Sequence, residues 1–211
     1  MKVEKLRKDL YSKDKLTKWF AAEVIGNEKK KGLTQYLLKA LKDKNIAETV
    51  SWALGQIDAG EATNLLCKKL NCNDNYLKWR IISALKDMKK IRVLSKLLIK
   101  NKDSEVRWRA AWALGEIKDI STFPVLWKGV HDKNKYVRWK SIWSISLLGP
   151  KIIDKLKLQL KSPSKYSRWR AAWALGRIKI KQSKSILQQA LKNEKDEYIL
   201  WQIRNSIKNI R

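Results

Sequence analysis

An internal repeat of about 30 residues runs through this chain. The segment RWRAAWALGEI, which begins at Arg107, returns almost unchanged as RWRAAWALGRI at Arg168, and a weaker copy, RWKSIWSISLL, begins at Arg138. When the first tryptophan of these copies is taken as a register mark, an equivalent position recurs every 29 to 32 residues. The seven register positions are Trp19, Glu48, Trp79, Trp108, Trp139, Trp169 and Trp201. A fixed period of this length predicts an architecture in which each repeat is one supersecondary unit.

Each repeat is predicted to contain two short helices. The first helix holds the register position, and apolar residues at i, i+3 and i+4 spacing, such as Leu33, Tyr36 and Leu37, predict a second helix after it. Aspartates that precede the first helices are expected to act as N-caps or turn residues, and glycines near the helix ends as stop signals. The aspartates are Asp43, Asp74, Asp103 and Asp132, and the glycines are Gly26, Gly55, Gly115 and Gly176. Short amphipathic helices must stack to bury their apolar faces, so we predict an all-α fold, an α-solenoid of fourteen helices in about seven pairs.

The repeat around residue 108 carries a recognisable residue pattern that a leucine-rich helix follows. The pattern consists of Asp103, Val106, Arg107, Ala110, Ala111, Ala113, Leu114 and Gly115. It resembles the HEAT-like repeat of the phycobilin-lyase type, and the resemblance extends over essentially the whole chain, with departures at Ala47 and Lys86. The resemblance implies a right-handed superhelix in which the first helices line the concave surface. It is poor evidence for function, because repeats of this kind serve both enzymes and scaffolds.

The resemblance also implies a domain organisation and a structural role for three arginines. We expect a single HEAT-like repeat domain over residues 1–211. Its expected parts are an N-terminal capping helix in 1–14, repeats in 15–197 and a C-terminal helix in 198–211. Arg107, Arg138 and Arg168 match the arginine that in this family bonds to loop aspartates between repeats. We therefore expect these arginines to stabilise the scaffold rather than to bind a partner.

Composition limits the classes of function that are open to the chain. Its 211 residues include 48 Lys and Arg against 20 Asp and Glu, a formal net charge of +28. No uninterrupted apolar run approaches the roughly 18 residues of a membrane span. Two cysteines and one histidine are too few for a disulfide framework, a zinc finger or most metal sites. We expect a soluble, cytoplasmic protein with no membrane partner, no metal and no cofactor.

The tryptophans concentrate on one face of the first helices. On a helical wheel of the repeat around Trp108, the predicted core face holds Val106, Ala110, Ala113, Leu114 and Ile117, and the tryptophans fall on the opposite side. Ten of the eleven tryptophans share this second face, and tyrosines and basic residues recur beside them. We name this set the aromatic stripe and predict that it binds the ligand. Its members are Trp19, Trp52, Tyr76, Trp79, Arg80, Trp108, Arg109, Trp112, Tyr136, Trp139, Lys140, Trp143, Tyr166, Trp169, Arg170, Trp173, Arg177, Tyr198 and Trp201.

Flat rings and guanidinium groups on a strongly basic chain suit nucleic acid. Phosphates supply a salt-sensitive attraction, aromatic faces accept bases at about 1–3 kcal/mol each, and arginine binds phosphate bidentately. Packed helices lie roughly 10 Å apart, whereas stacked bases lie about 3.4 Å apart, so splayed bases or one extruded base fit such repeats better than a continuous stack. The sequence predicts a nucleic-acid-binding module for single-stranded or structured RNA or DNA, and it does not choose between RNA and DNA.

An enzymatic alternative stays open. HEAT-like alkylpurine DNA glycosylases use a basic, tryptophan-rich concave surface and an acidic residue without a cofactor. Carboxylates that project into the aromatic stripe or lie one turn beyond it would be the candidates here, because a carboxylate beside aromatic walls can stabilise an oxocarbenium-like centre. These residues are Glu23, Glu48, Asp87 and Glu116. No motif of the glycosylases aligns residue by residue, so we expect a binding module rather than an enzyme.

Two further interpretations use the same residues. Trp, Tyr and Arg are also the residues of protein hot spots, so the stripe is compatible with a scaffold that grips an acidic protein or a peptide. The tryptophans and arginines could equally form a structural cation–π ladder in which each contact contributes roughly 0.5–1 kcal/mol. Solvent exposure of the rings distinguishes the ladder from a binding surface.

Overall fold

The computed structural model describes residues 2–57 and 60–210, so Met1 and Arg211, the two ends of the predicted domain, lie outside the described residues. The described residues form fourteen α-helices and three short 3₁₀ turns, and they contain no strand. The helices are α1 (Val3–Asp9), α2 (Lys15–Asn27), α3 (Thr34–Ala40), α4 (Ala47–Ile57), α5 (Gly60–Lys69), α6 (Asn75–Asp87), α7 (Ile91–Lys100), α8 (Ser104–Ile117), α9 (Phe123–Gly129), α10 (Lys135–Leu147), α11 (Ile153–Gln159), α12 (Lys165–Ile178), α13 (Lys181–Asn193) and α14 (Glu197–Lys208). The 3₁₀ turns are Lys31–Leu33, Ile120–Thr122 and Gly149–Ile152. The all-α prediction and the count of fourteen helices are confirmed for this part of the chain.

The chain forms two compact units, an N-terminal unit (Met1–Ala113) and a C-terminal unit (Leu114–Arg211). In the N-terminal unit the first helices α2, α4 and α6 pack in sequence, each against the next. The C-terminal unit repeats this arrangement with α10, α12 and α14. Second helices such as α3 and α13 pack beside the first helices that follow them. The single domain over 1–211 stays a prediction.

The core face predicted from the helical wheel is the buried face of α8. Val106, Ala110, Ala113 and Leu114 are fully buried, and Ile117, in the last turn, is half-buried. Two of the five residues of this face, Ala110 and Ala113, are small. Burial of apolar area, at about 25 cal/mol per Å², therefore supplies the driving force for stacking one repeat on the next.

Gly115 and Gly176 serve close packing, and their helices continue beyond them to Ile117 and Ile178. A Cβ on Gly115 would lie 2.5 Å from the Cβ of Ser144, and one on Gly176 would lie 2.6 Å from the Cβ of Ser206, so only glycine permits these approaches. The prediction that these glycines are stop signals is therefore incomplete. Lysines instead adopt the left-handed conformation at four helix ends, and these are Lys29, Lys89, Lys118 and Lys179, with φ between 47° and 55°.

The loops between repeats are held by acidic residues and by the cation that precedes five of the seven register positions. Asp74 caps α6, its carboxylate accepting the N–H of Leu77, and the other predicted aspartates accept N–H groups in their own turns. Lys78 Nζ lies 2.6 Å from Asp103 Oδ2. Arg168 forms a two-point pair with Glu194, at 2.7 and 3.1 Å, and its Nη1 also donates to two loop carbonyls. Arg107 and Arg138 donate to loop carbonyls in the same way.

Candidate functional site

The rings of the aromatic stripe lie at the surface of the first helices. None of its ten tryptophans is buried, and the most open are Trp201 at 57% exposure and Trp139 at 46%. The exposed members are Trp19, Trp52, Tyr136, Trp139, Tyr166, Arg177, Tyr198 and Trp201. The half-buried members are Tyr76, Trp79, Trp108, Trp112, Lys140, Trp143, Trp169, Arg170 and Trp173. Only Arg80 and Arg109 are buried.

The two buried arginines lie behind indole faces and next to carboxylates. The guanidinium of Arg80 lies 4.8 Å from the ring centroid of Trp79, and its Nη1 lies 4.0 Å from Glu48 Oε1. The guanidinium of Arg109 lies 4.4 Å from the ring centroid of Trp108 and forms an ion pair with Glu105, one turn earlier. Both charges therefore lie next to carboxylates inside the N-terminal unit, and their role in ligand binding stays a prediction.

A cavity of about 600 Å³ opens on the stripe in the N-terminal unit. Its aromatic walls are Trp19, Tyr76 and Trp79, and Lys44 Nζ lies 5.4 Å from the ring centroid of Tyr76. Glu48 also lines this cavity. The cavity thus combines flat apolar walls with a carboxylate that faces its buried arginine.

Three tryptophans and one arginine form a cluster in the C-terminal unit. The guanidinium of Arg177 lies 3.9 Å from the ring centroid of Trp143 and 5.4 Å from that of Trp173. Trp139 meets Trp173 edge-on, with 4.8 Å between the ring centroids. The stacked, solvent-exposed guanidinium has no carboxylate within ion-pair distance among the described residues. Stacking fixes its plane while its N–H groups stay available for hydrogen bonds.

A second group of rings links α12 to α14. Trp169 and Tyr198 are nearly parallel, with an interplanar angle of 8° and 6.0 Å between centroids. Tyr198 and Trp201 are also nearly parallel, at 14° and 6.4 Å. Tyr198 and Trp201 are among the most exposed large hydrophobic side chains of the described residues. These flat faces are the geometry that a stacked base requires.

Lysines that the sequence prediction left out also lie over stripe rings. Lys135 Nζ lies 5.3 Å from the centroid of Tyr136, and Lys165 Nζ lies 5.6 Å from that of Tyr166. Both pairs are consecutive Lys-Tyr dipeptides at the start of a first helix, a signal that was visible in the sequence. Lys86 Nζ lies 5.4 Å from the centroid of Trp112, and this contact joins two repeats and has no such local signal.

The four carboxylates considered for catalysis lie on four different first helices, α2, α4, α6 and α8. Glu48 and Asp87 are exposed, as is Glu116, and Glu23 is half-buried. Glu48 lines the cavity with aromatic walls in the N-terminal unit, and Asp87 pairs with Lys86 at 3.1 Å. The described residues contain no group of three or more His, Cys, Asp and Glu side chains placed to hold a metal. None of the helices described is long and apolar enough to span a membrane.

Comparison with known families and structures gives matches to repeat proteins. Residues 63–146 match the HEAT repeats family, and residues 167–193 match the PBS lyase HEAT-like repeat. No curated protein matches the chain.

Solved structures align with nearly the whole chain. An engineered protein is 22% identical, with 100% of this chain and 97% of that chain covered and a TM-score of 0.39. The complex of CpcE and CpcF of phycocyanin lyase from Nostoc sp. PCC7120 is 18% identical, with 100% and 95% covered and a TM-score of 0.42. Human deoxyhypusine hydroxylase in complex with glycerol is 15% identical, with 97% and 83% covered and a TM-score of 0.46.

Proposed function

The chain belongs to the HEAT-like repeat proteins, and from this premise we propose that its helical scaffold binds nucleic acid through the aromatic stripe. The family membership agrees with the α-solenoid fold class predicted from the sequence. A HEAT-like scaffold accommodates many functions, so the proposal is argued from the side chains that the first helices present. We propose a single-stranded or structured RNA or DNA as the ligand.

The observation that carries the proposal is the exposure of flat rings beside guanidinium groups that lack carboxylate partners. Tyr166 and Tyr198 are each more than 60% exposed, and Arg170 and Arg177 make no ion pair in the described residues. Large exposed rings are costly on a surface that has no partner, because they leave apolar area in water. A purely structural cation–π ladder would enclose its rings, so the exposure favours a binding surface.

The charge of the chain favours a polyanion over a neutral partner. The C-terminal unit has 22 Lys and Arg against seven Asp and Glu. Nucleic acid combines closely spaced phosphates with flat rings, whereas an acidic peptide supplies charge and few rings. Counterion release would make the phosphate part of the affinity fall steeply with salt.

The experiment is a salt titration with a fluorescent 20-nucleotide single strand. Six to ten phosphate contacts predict that log K falls against log salt with a slope of about −4 to −7, at roughly 0.7 per phosphate on a single strand. Replacing Trp201 with alanine should weaken binding by about 1–3 kcal/mol, the value of one stacked base. Tyr11→Ala, which removes an exposed ring outside the stripe, is the matched control. A flat salt response, or equal losses in both variants, contradicts the proposal.

A protein partner is the second candidate, and one surface favours it. On α2 the side chains of Leu16 and Phe20 are 74% and 54% exposed, and Trp19 lies between them. Such an apolar helix face is typical of protein contacts rather than of phosphate contacts. Competition decides between the candidates: an acidic peptide that displaces the single strand at equal charge, with loss of that competition in Phe20→Ser, would support the scaffold role.

A further inference from the structure

The C-terminal unit has a cavity of about 410 Å³ between α12 and α14. Tyr166 and Trp169 on α12 and Tyr198 on α14 supply its rings, and Lys165 and Arg170 supply its cations. The volume lies within the range of small-molecule pockets, at the size of one nucleotide rather than of a folded partner.

Arg170 is the most unusual group in this cavity. Its side chain is half-buried, and no carboxylate lies within ion-pair distance of it in the described part of the chain. Burial lowers the pKa of Arg170, and the positive charge of nearby Arg138 lowers it further. A half-buried cation beside a second cation is destabilised until an anion comes near, so the cavity favours a negatively charged ligand.

One carboxylate, that of Asp196, lines the cavity, and one of its two oxygens is used to cap α14. Asp196 caps α14, with Oδ1 accepting the N–H groups of Tyr198 at 3.0 Å and Ile199 at 3.2 Å. The hydrogen bond to Glu194 raises the pKa of Arg168, and the charge of Asp196 adds to that rise. Asp196 therefore stabilises the start of the helix, and it forms no ion pair with Arg170 in the described part of the chain.

The rings of the cavity are placed to receive a flat group. Tyr166 is 62% exposed and Tyr198 is 65% exposed, while the Trp169 ring lies nearly parallel to that of Tyr198. The guanidinium of Arg170 lies 5.7 Å from the ring centroid of Tyr166. A ligand that contacts both tyrosines therefore also passes close to the cation.

We propose that this cavity binds one nucleoside monophosphate unit, with its phosphate beside Arg170 and Lys165 and its base against the tyrosine rings. The proposal rests on the nucleic-acid function above, since the unit is one nucleotide of a bound strand. A free mononucleotide offers the same chemistry, so the two sources need separate measurements. A ligand that has only the phosphate contacts only the cations, and a ligand that has only the base contacts only the rings.

Calorimetric titration of the full chain with 5′-AMP, adenosine and inorganic phosphate measures this directly. We expect 5′-AMP to bind at least about tenfold more tightly than either of the other two ligands, because charge-assisted and stacking contacts are made together. Arg170→Gln should weaken 5′-AMP binding about tenfold through loss of the charged hydrogen bonds. Tyr198→Ala should weaken it about fivefold or more through loss of one stacking face.

Two control variants remove a comparable charge and a comparable ring at positions outside the cavity. Arg204→Gln removes an exposed arginine of α14, and Tyr11→Ala removes an exposed tyrosine outside the aromatic stripe. Both should leave 5′-AMP affinity unchanged. Equal affinity for 5′-AMP and inorganic phosphate, or equal losses in Arg170→Gln and Arg204→Gln, overturns the proposal.

The same variants with the 20-nucleotide strand separate this proposal from the proposed function. If the strand binds wild type and Arg170→Gln equally, the cavity proposal is wrong and the nucleic-acid function stands. If 5′-AMP binds through Arg170 and the strand does not bind, the cavity takes a free nucleotide and the nucleic-acid function is wrong. If neither ligand binds, both are wrong.

Discussion

The N-terminal and C-terminal units both carry the aromatic stripe, but they differ in whether its arginines lie next to carboxylates. In the N-terminal unit, Arg80 faces Glu48 and Arg109 pairs with Glu105, and both guanidinium groups are buried. In the C-terminal unit, Arg170 and Arg177 lie on aromatic rings, with no carboxylate paired to them in the described residues.

The contrast is sharpest at one repeat position. Glu105 and Arg109 stand one turn apart on α8, and the equivalent pair on α12 is Tyr166 and Arg170. At the same repeat position, the scaffold therefore carries an ion pair on α8 and, on α12, an arginine that is next to a tyrosine ring and has no paired carboxylate. We expect the affinity for phosphates to concentrate in the C-terminal unit, since a cation that is already paired gains less from a new anion.

The largest expected effect comes from giving α12 the arrangement of α8. Tyr166→Glu removes a stacking face and places a carboxylate one turn before Arg170, so affinity for the single strand should fall about 50-fold. Fluorescence anisotropy at one fixed salt concentration measures the change. Tyr166→Gln removes the ring without adding charge, so it should lower the affinity by only about fivefold. Equal losses in the two variants would show that the ion pair does not matter.

The next effect concerns stability and compares the cations that fasten the loops. Arg168→Gln should lower the free energy of unfolding by about 2 kcal/mol, because it leaves the largely buried Glu194 carboxylate without its two-point partner. Lys78→Gln should cost less, since Asp103 is more exposed and bound through one atom. Urea titration followed by circular dichroism measures both, and a larger loss in Lys78→Gln contradicts the comparison.

The Arg168–Glu194 pair also predicts a pH dependence. Burial raises the pKa of Glu194, but hydrogen bonds from Arg168 and from nearby backbone N–H groups outweigh it, so the pKa lies below its ordinary value. The stabilisation is therefore complete above the ordinary glutamate pKa and is lost as pH falls toward the folded-state value. Arg168→Gln should be less sensitive to acid over this window than wild type. An unchanged acid profile would contradict this.

A gain of affinity is the third expectation. Glu105→Gln frees Arg109 from its partner, and affinity for the single strand should rise about threefold, the value of a modest electrostatic change. Asp154→Asn removes one negative charge from the exposed side of α11 and serves as the control. If both variants raise affinity equally, net charge rather than the local pair controls binding.

The smallest effect uses the single histidine as a reporter of Arg170. Partial burial lowers the pKa of His131, and the charge of Arg170 lowers it further. Its proton NMR titration should therefore give a pKa below the ordinary value, and Arg170→Gln should move that pKa upward. Stability follows the same sign: it falls as pH drops below the unfolded-state pKa of about 6.5 toward the folded value. An unchanged pKa in Arg170→Gln would show that the two groups do not interact.

The sequence predicted the helices and the surface position of the stripe because both depend on local periodicity. Trp108 and Val106 fall on opposite faces of α8 by helix geometry alone, whatever the next repeat contains. The pairing of Arg80 with Glu48 depends on how α4 packs on α6, and a helical wheel carries no information about that contact. The packing role of the glycines could not be predicted for the same reason. Gly115 and Gly176 are required by the close approach of serines on the following first helix.

Photo-crosslinking of a 4-thiouridine-labelled single strand, with mass-spectrometric mapping, tests most directly whether the aromatic stripe binds nucleic acid. We predict crosslinks to rings of the first helices, foremost Tyr166, Tyr198 and Trp201. Crosslinks confined to lysines of the second helices α11 and α13, or none at all under conditions where the strand binds, would contradict it.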